Sequence, residues 1–355
     1  MSMVKRLLIV VAVCFVLAVA AAAAAGLYFK NWLNSSVPAH DGTVFVVERG
    51  QSFSHVTAAL HQVGLVDEPL LLRLYGRISG LETRLRAGEY EIEPGLTVAG
   101  LVDHLASGDV IQHEVMLVEG RTLDESLAQW SDSRLKLTAD EPRQTAITSL
   151  LQMKAPSSEG LFFSDTYFYE AGATDLDILR RAHERLVDVL EEEWQQRQPN
   201  LPYKTPYEAL VMASIIERET AVPSERPVIA GVFVRRLQKG MRLQSDPTVI
   251  YGMGDNYDGR IRRKDLNTRT PWNTYRINGL PPTPIASVGR DAIHAALNPA
   301  DGKALYFVAR GDGTHVFNNT LAEHNRAVRK YQLNRRSDYR STPDLPVAAS
   351  EQDSE

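Results

Sequence analysis

Cysteine is almost absent from this chain: the one thiol, Cys14, lies inside an apolar N-terminal run. The rest of the 355 residues therefore holds no intramolecular disulfide and no cysteine-based zinc or redox chemistry. No basic stripe interleaved with aromatics is present either, so nucleic acid is not an expected partner. The run Arg260-Ile-Arg-Arg-Lys264 is short and reads as a solvated loop. Histidines at metal-ligand spacing are also missing, since His294, His315 and His324 fall in separate elements. No metal and no cofactor is expected. The net charge of −5 is spread along the chain, and the length suffices for two or more domains with real cores.

Charge is missing from one further stretch. Leu7 to Phe29 carries none, and as a helix that run is long enough to cross a bilayer. Lys5 and Arg6 precede it, which by the positive-inside rule leaves residues 1–6 in the cytoplasm and the bulk of the chain outside. Tyr28 and Trp32 stand where interfacial aromatics belong. The expectation is a single-pass anchor over residues 7–29 in the inner (plasma) membrane, with a periplasmic body. A cleaved signal peptide is the alternative, because the Ala20–Ala25 run offers small-residue cleavage sites.

A polar linker over 30–43 precedes a weak internal repeat. An apolar strand from Val44 leads through Gly50 and Ser52 into a helical pattern reaching Leu60. Glu91 to Thr97 repeats the device before Val98–Leu105, and Val115–Leu123 repeats it again through Gly120 and Thr122. In each copy a glycine makes the turn and Ser52, Thr97 or Thr122 can cap the next helix. Thr122 with Glu125 forms a capping-box pattern. Residues 44–110 resemble the LysM-like module of cell-wall proteins, which implies affinity for N-acetylhexosamine polymers; a purely structural use of these turns stands equally open. Residues from Asp132 to Gln152 read as a helical polar spacer, Asp175–Gln196 as an amphipathic helix, and Ser224–Arg236 as another with Gly240 as its stop. Met241–Gly252 shows little helical period and has the composition of a binding surface. Ala292–Leu297 and Leu321–Tyr331 read as helices, Leu305–Val308 with Thr314–Phe317 as a hairpin, and 335–355 as a disordered tail.

One carboxylate stands in an unusual setting. Thr205, Pro206 and Glu208 mark a helix start. On that helix Leu210, Ala213 and Glu217 share one face at spacings of three and four. A carboxylate against an apolar wall loses hydration and keeps its proton to higher pH, as a general acid requires. Glu217 is the first candidate and Glu219, two residues on, the second; an ordinary solvated helix end is the bland reading.

Five segments follow one another in order: Ala213-Ser-Ile-Ile-Glu-Arg-Glu-Thr220, Leu243-Gln-Ser-Asp-Pro-Thr-Val-Ile-Tyr-Gly252, Asn273-Thr-Tyr275, Gly279-Leu-Pro-Pro282 and His315-Val-Phe-Asn318. Glu159-Gly-Leu-Phe-Phe-Ser-Asp-Thr-Tyr167 precedes them. Together they closely resemble the YceG-like family of endolytic murein transglycosylases, from Val44 to Tyr331. The resemblance implies an α+β fold: an N-terminal transmembrane helix, the LysM-like strand–turn–helix module, and a YceG-like catalytic domain over 111–334. It also implies non-hydrolytic cleavage of MurNAc–GlcNAc β-1,4 bonds in peptidoglycan, leaving 1,6-anhydroMurNAc ends. Carried onto this sequence, Glu217 becomes the acid/base, and Gln244, Ser245, Asp246, Thr248, Tyr251, Asn273 and Tyr275 surround the sugars. The family pattern often has Glu-Lys-Glu where this chain has Glu217-Arg-Glu219. Penicillin-binding proteins or other peptidoglycan synthases are the partners the resemblance implies. A non-catalytic wall-binding anchor and a true glycoside hydrolase using Glu217 with Asp246 remain the competing readings.

Overall fold

Among the glycines with left-handed backbone, Gly50 (φ 82°), Gly95 (φ 86°) and Gly120 (φ 74°) stand just ahead of helices. After each comes a helix whose first turn is closed by a hydroxyl. Ser52 accepts from the backbone N–H of His55, Thr97 from Gly100 and Thr122 from Glu125, the last in a full capping box. The repeated device read from the sequence is thus present in all three copies. The computed structural model describes residues 3–137, 147–149, 155–334 and 340. The polar spacer expected over 132–152 and the tail expected from 335 lie largely outside the described residues.

The chain divides into two units. The first spans Met1–His113 with Phe168–Gly172, the second Glu114–Tyr167 with Ala173–Glu355. In the first unit, helix α1 (Met3–Leu33) is apolar and exposed, and by length and composition it could cross a membrane. Strands β1 (Val44–Val47) and β2 (Gly88–Glu91) pair antiparallel, with Phe45 opposite Tyr90. Between them run α2 (Phe53–Gln62) and α3 (Pro69–Ser79), and α4 (Val98–Ser107) follows β2. Phe45, Val56, Leu60, Leu72, Tyr90, Leu101 and Leu105 meet in the core. Burying each such side chain is worth roughly 1.5–3 kcal/mol. The Tyr90 hydroxyl is satisfied by the carbonyls of Arg86 (2.8 Å) and Leu105 (3.0 Å). Gly76 lies so close to the Phe53 ring that an added Cβ would clash at 2.3 Å.

Two short strands, β3 (His113–Met116) and β4 (Thr166–Tyr169), lie where the chain passes between the units. The second unit begins with α5 (Leu123–Gln129), followed by α6 (Asp175–Gln195), α7 (Pro206–Glu219), α8 (Arg226–Gln238), α9 (Asp246–Met253), α10 (Arg263–Asn267) and α11 (Arg290–Leu297). An antiparallel hairpin, β5 (Tyr306–Ala309) and β6 (His315–Asn318), turns at Gly311–Gly313 as expected, and α12 (Leu321–Val328) closes the unit. Helix α9 falls almost wholly within Met241–Gly252, the stretch read as having little helical period. Its period is hidden because Pro247 sits in its first turn and Ser245 precedes it without a side-chain cap.

Helix α7 is the axis of this unit. Every residue from Ala209 to Glu217 is buried, so the helix is enclosed on all sides rather than amphipathic. It packs against α6, α8, α9 and α11 through Leu210, Ala213, Ile216, Ile229, Phe233 and Ile293. Ser214 keeps this interior satisfied: its hydroxyl donates to the Val211 carbonyl and accepts from the Ile285 N–H. At the start of the helix Thr205 caps the N–H of Glu208, but Glu208 reaches back to Lys204 rather than to Thr205.

Candidate active site

At about 3.6 residues per turn, Glu217 and Glu219, two residues apart on α7, project to nearly opposite sides of the helix. Glu217 turns inward. Its Oε1 accepts from Arg226 Nη2 at 2.8 Å and its Oε2 from the Gly289 N–H at 3.1 Å, and its side chain is 4% exposed. Arg226 is held in turn by Asp291 (3.2 Å) and more loosely by Glu119 (3.7 Å). Burial raises the pKa of Glu217, while the Arg226 cation and the Gly289 N–H oppose the rise. With both oxygens accepting, a proton on either would displace one of these bonds. The network ties α7 to α8 and to the segment entering α11. A Cβ at Gly289 would fall 1.8 Å from Glu119 Oε1, so that exposed carboxylate would have to shift to admit one.

Glu219, the last residue of α7, faces a cavity of about 710 Å³. The wall is built from α8 (Arg236), the Leu243–Asp246 segment, Tyr275, the β5–β6 hairpin (Tyr306–Ala309 and His315) and α12 (Leu321, His324, Asn325). Glu217 is not among the residues lining it. Glu219 Oε1 accepts from the Ser245 hydroxyl at 2.5 Å, and among the described residues Oε2 has no hydrogen-bond partner. Burial pushes the Glu219 carboxyl up to about 7; the bond from Ser245 and the Arg236 cation pull it down, and the neighbouring Asp246 carboxylate pushes it up. A cavity-lining carboxyl balanced near neutrality, with one oxygen anchored and the other unpartnered among the described residues, can both donate and accept a proton.

The sequence-predicted residues separate into two groups. Four join Glu219. Gln244 lines the cavity, its carboxamide oxygen 3.4 Å from Arg236 Nη1, on a left-handed backbone (φ 54°) that few residues other than glycine adopt. Ser245 holds Glu219 directly. Asp246 lines the wall and accepts from the Tyr275 hydroxyl at 2.6 Å. Tyr275 lines it too, its phenol pKa raised by burial and by Asp246. Three others do not reach the cavity. Thr248 is fully buried and bonds to the Ser245 carbonyl and the Thr274 hydroxyl. Asn273 spends its amide on the carbonyls of Asp265, Leu266 and Thr268 and accepts from the Tyr275 N–H, fixing the loop. Tyr251 packs edge-on against Trp272, on a different hollow with Thr283. The described contacts of these three brace the surrounding loops and helices.

Sequence reasoning missed Arg236, Tyr306 and His324. Arg236 is buried and donates to the carbonyls of Leu305 and Leu243, both at 2.7 Å, with its guanidinium over the Tyr306 ring (5.0 Å). His324 stacks on the same tyrosine at 5.3 Å. No spacing rule joins these positions, because α8, β5 and α12 converge only in three dimensions.

A two-unit α+β protein with an apolar N-terminal helix and an acid-bearing cleft in its second unit is the class these features define. The sequence pattern of the YceG-like family matches residues 45–330, and the chain belongs to that family. It is 30% identical over 325 residues to the endolytic murein transglycosylase of Bacillus subtilis (strain 168), covering 86% of this chain and 89% of that protein. It is 26% identical to the endolytic murein transglycosylase of Streptococcus pneumoniae serotype 2 (strain D39 / NCTC 7466), covering 80% of this chain and 57% of that longer protein. A crystal structure of a yceG-like protein from Listeria monocytogenes superposes with a TM-score of 0.51 at 27% identity, over 80% of this chain and 98% of the other.

Proposed function

We propose that this protein is a membrane-anchored endolytic lytic transglycosylase of peptidoglycan, with Glu219 rather than Glu217 as its acid/base. One observation carries the assignment: Glu219 is the carboxyl of α7 that lines the cavity, has one oxygen without a hydrogen-bond partner among the described residues, and is pushed up to about 7 by burial. In the reaction, the Glu219 O–H protonates the glycosidic oxygen between MurNAc and GlcNAc as the C1–O bond breaks. The resulting carboxylate then takes the proton of the MurNAc C6 hydroxyl while that oxygen bonds to C1. The product carries a 1,6-anhydro ring, no water is consumed, and the acid is regenerated. One carboxyl suffices because the nucleophile belongs to the substrate and is held beside C1. Gln244, Asp246 and Tyr275 offer amide, carboxylate and ring groups to the sugars, and Ser245 orients Glu219.

The α1 helix serves as the anchor in this reading, with the body in the periplasm of the inner membrane, where nascent strands emerge beside peptidoglycan synthases. The strand–helix–helix–strand order of β1, α2, α3 and β2 supports a LysM-like contribution to holding glycan. A second reading has one specific observation behind it: Asp246 shares the cavity with Glu219, so the two could act as the carboxylate pair of a hydrolase. Digestion of purified peptidoglycan with the solubilised full-length protein, followed by mass spectrometry, separates the readings. Anhydro ends support the transglycosylase; products heavier by one water support the hydrolase; intact glycan leaves only a wall-binding protein.

A further inference from the structure

His315 opens β6 and lines the same cavity as Glu219. A single carboxylate clamps it twice. Glu225 Oε1 accepts from the His315 backbone N–H and Oε2 lies against ring Nδ1, both at 2.7 Å. The two side chains are 11% and 12% exposed. Glu225 in turn accepts from the hydroxyl of Thr220, the residue next to Glu219, at 3.1 Å. One hydrogen-bonded chain therefore runs from the end of the helix that carries the acid to the imidazole across the cavity. Phe307 meets the ring edge-on at 5.4 Å and limits its rotation.

A carboxylate at Nδ1 fixes the proton there and leaves a lone pair on Nε2. Among the described residues Nε2 has no hydrogen-bond partner. A histidine serving only the hairpin would need no more than its packing against Phe307 and Phe317. Here the ring is oriented, its tautomer is set, and its Nε2 is left without a partner among the described residues, on a side chain that lines the cavity of the proposed acid.

We propose that His315 is a positioning residue for the substrate: its Nε2 accepts a hydrogen bond from a sugar hydroxyl of the glycan bound against Glu219, with Glu225 holding the imidazole in the accepting tautomer. No proton changes owner in this contact; the hydroxyl keeps its hydrogen and is turned toward its place in the cleft. The inference rests on the proposed function, because it takes a glycan as the occupant of the cavity.

Two substitutions separate positioning from support. In His315→Asn the amide nitrogen can replace Nδ1 as donor to Glu225, while the Nε2 acceptor is lost. In Glu225→Gln the clamp remains close in shape but no longer fixes the tautomer. With full-length protein and purified peptidoglycan, both variants should melt close to wild type. Both should form product about ten- to a hundredfold more slowly, the cost expected for losing one well-placed hydrogen bond. Nitrogen NMR of histidine-labelled Glu219→Gln protein supplies a readout that a structural role would not move. The free protein should show Nδ1 protonated, and a GlcNAc–MurNAc tetrasaccharide should shift the Nε2 signal of His315 alone among the histidines. If wild type forms product and His315→Asn matches its rate, or if saturating tetrasaccharide leaves the His315 Nε2 signal in place, the assignment is overturned. If wild type itself forms no anhydro product while the tetrasaccharide still shifts Nε2, the proposed reaction fails and the binding role stands.

Discussion

Glu217 and Glu219 stand two residues apart on α7, yet Glu217 is locked to Arg226 at 2.8 Å while Glu219 receives only the Ser245 hydroxyl at 2.5 Å and meets the cavity. The same side-chain chemistry is thus divided between holding the fold and facing a substrate. Exchanging each for glutamine gives opposite results. Glu219→Gln should fold with an unchanged Tm and lose about a thousandfold or more in turnover, since its proton donor is gone. Glu217→Gln leaves Arg226 short of its closest partner. It should cost about 3 kcal/mol, or roughly 6–12 °C in Tm. Thermal melting and anhydro-product assays on both variants check the division. An active Glu219→Gln protein would remove the proposed acid.

Activity should decline as pH rises through about 7, the value to which burial lifts Glu219. The first step needs the protonated carboxyl, whose fraction falls tenfold per pH unit beyond that point. Stability follows the same sign. A carboxyl raised above its ordinary 4.5 favours the folded state below that value, and the contribution is lost between about 4.5 and 7. Initial rates from pH 5 to 9 measure the catalytic limb.

Ser245→Ala removes the hydroxyl bond that holds Glu219 down in pKa. The alkaline limb should therefore move to higher pH, and the rate at its plateau should drop about tenfold as the carboxyl loses its orientation. A pH–rate profile of the variant tests both; an unmoved limb would mean that Ser245 does not act on the titrating group.

Gln244 separates backbone from side chain. Its φ of 54° suits glycine, so Gln244→Gly should keep or slightly raise the Tm, by about 1 kcal/mol of relieved strain. The lost carboxamide should raise KM. Gln244→Ala retains the strain and should melt lower than the glycine variant. Paired melting curves and Michaelis profiles read this directly.

Glu159 is fully buried, accepts from the Leu123 N–H at the start of α5, and is pushed up to about 8 by that burial. Its folded-state value is raised, so the stability it contributes is complete below about 4.5 and fades as pH climbs to 8. Urea unfolding at pH 5 and pH 8.5 should show wild type losing stability over that interval. Glu159→Gln should lose markedly less, because an amide has no proton to give up.

Much of this protein is decided locally. Hydroxyl caps at Ser52, Thr97, Thr122 and Thr205, glycine turns at Gly50, Gly95 and Gly120, and the hairpin around Gly311–Gly313 all act over three or four residues, so they are readable in order along the chain. The motif order likewise marks the family, and Gln244, Asp246 and Tyr275 line the cavity that Glu219 faces. Which glutamate faces that cleft is not local. The face shared by Leu210, Ala213 and Glu217 points to Glu217 only if α7 has a single apolar side, and α7 is surrounded by other helices from Ala209 onward. When every face is buried, periodicity no longer distinguishes them. The choice falls to distant partners: Arg226 and Gly289 take Glu217, while Ser245, Arg236 and the β5–β6 hairpin leave Glu219 one oxygen unpartnered among the described residues and a cavity to face. Residue types and their order fix the elements and the chemistry at hand; only the packing of segments far apart in sequence determines which carboxyl is dehydrated, which is neutralised, and which can meet a substrate.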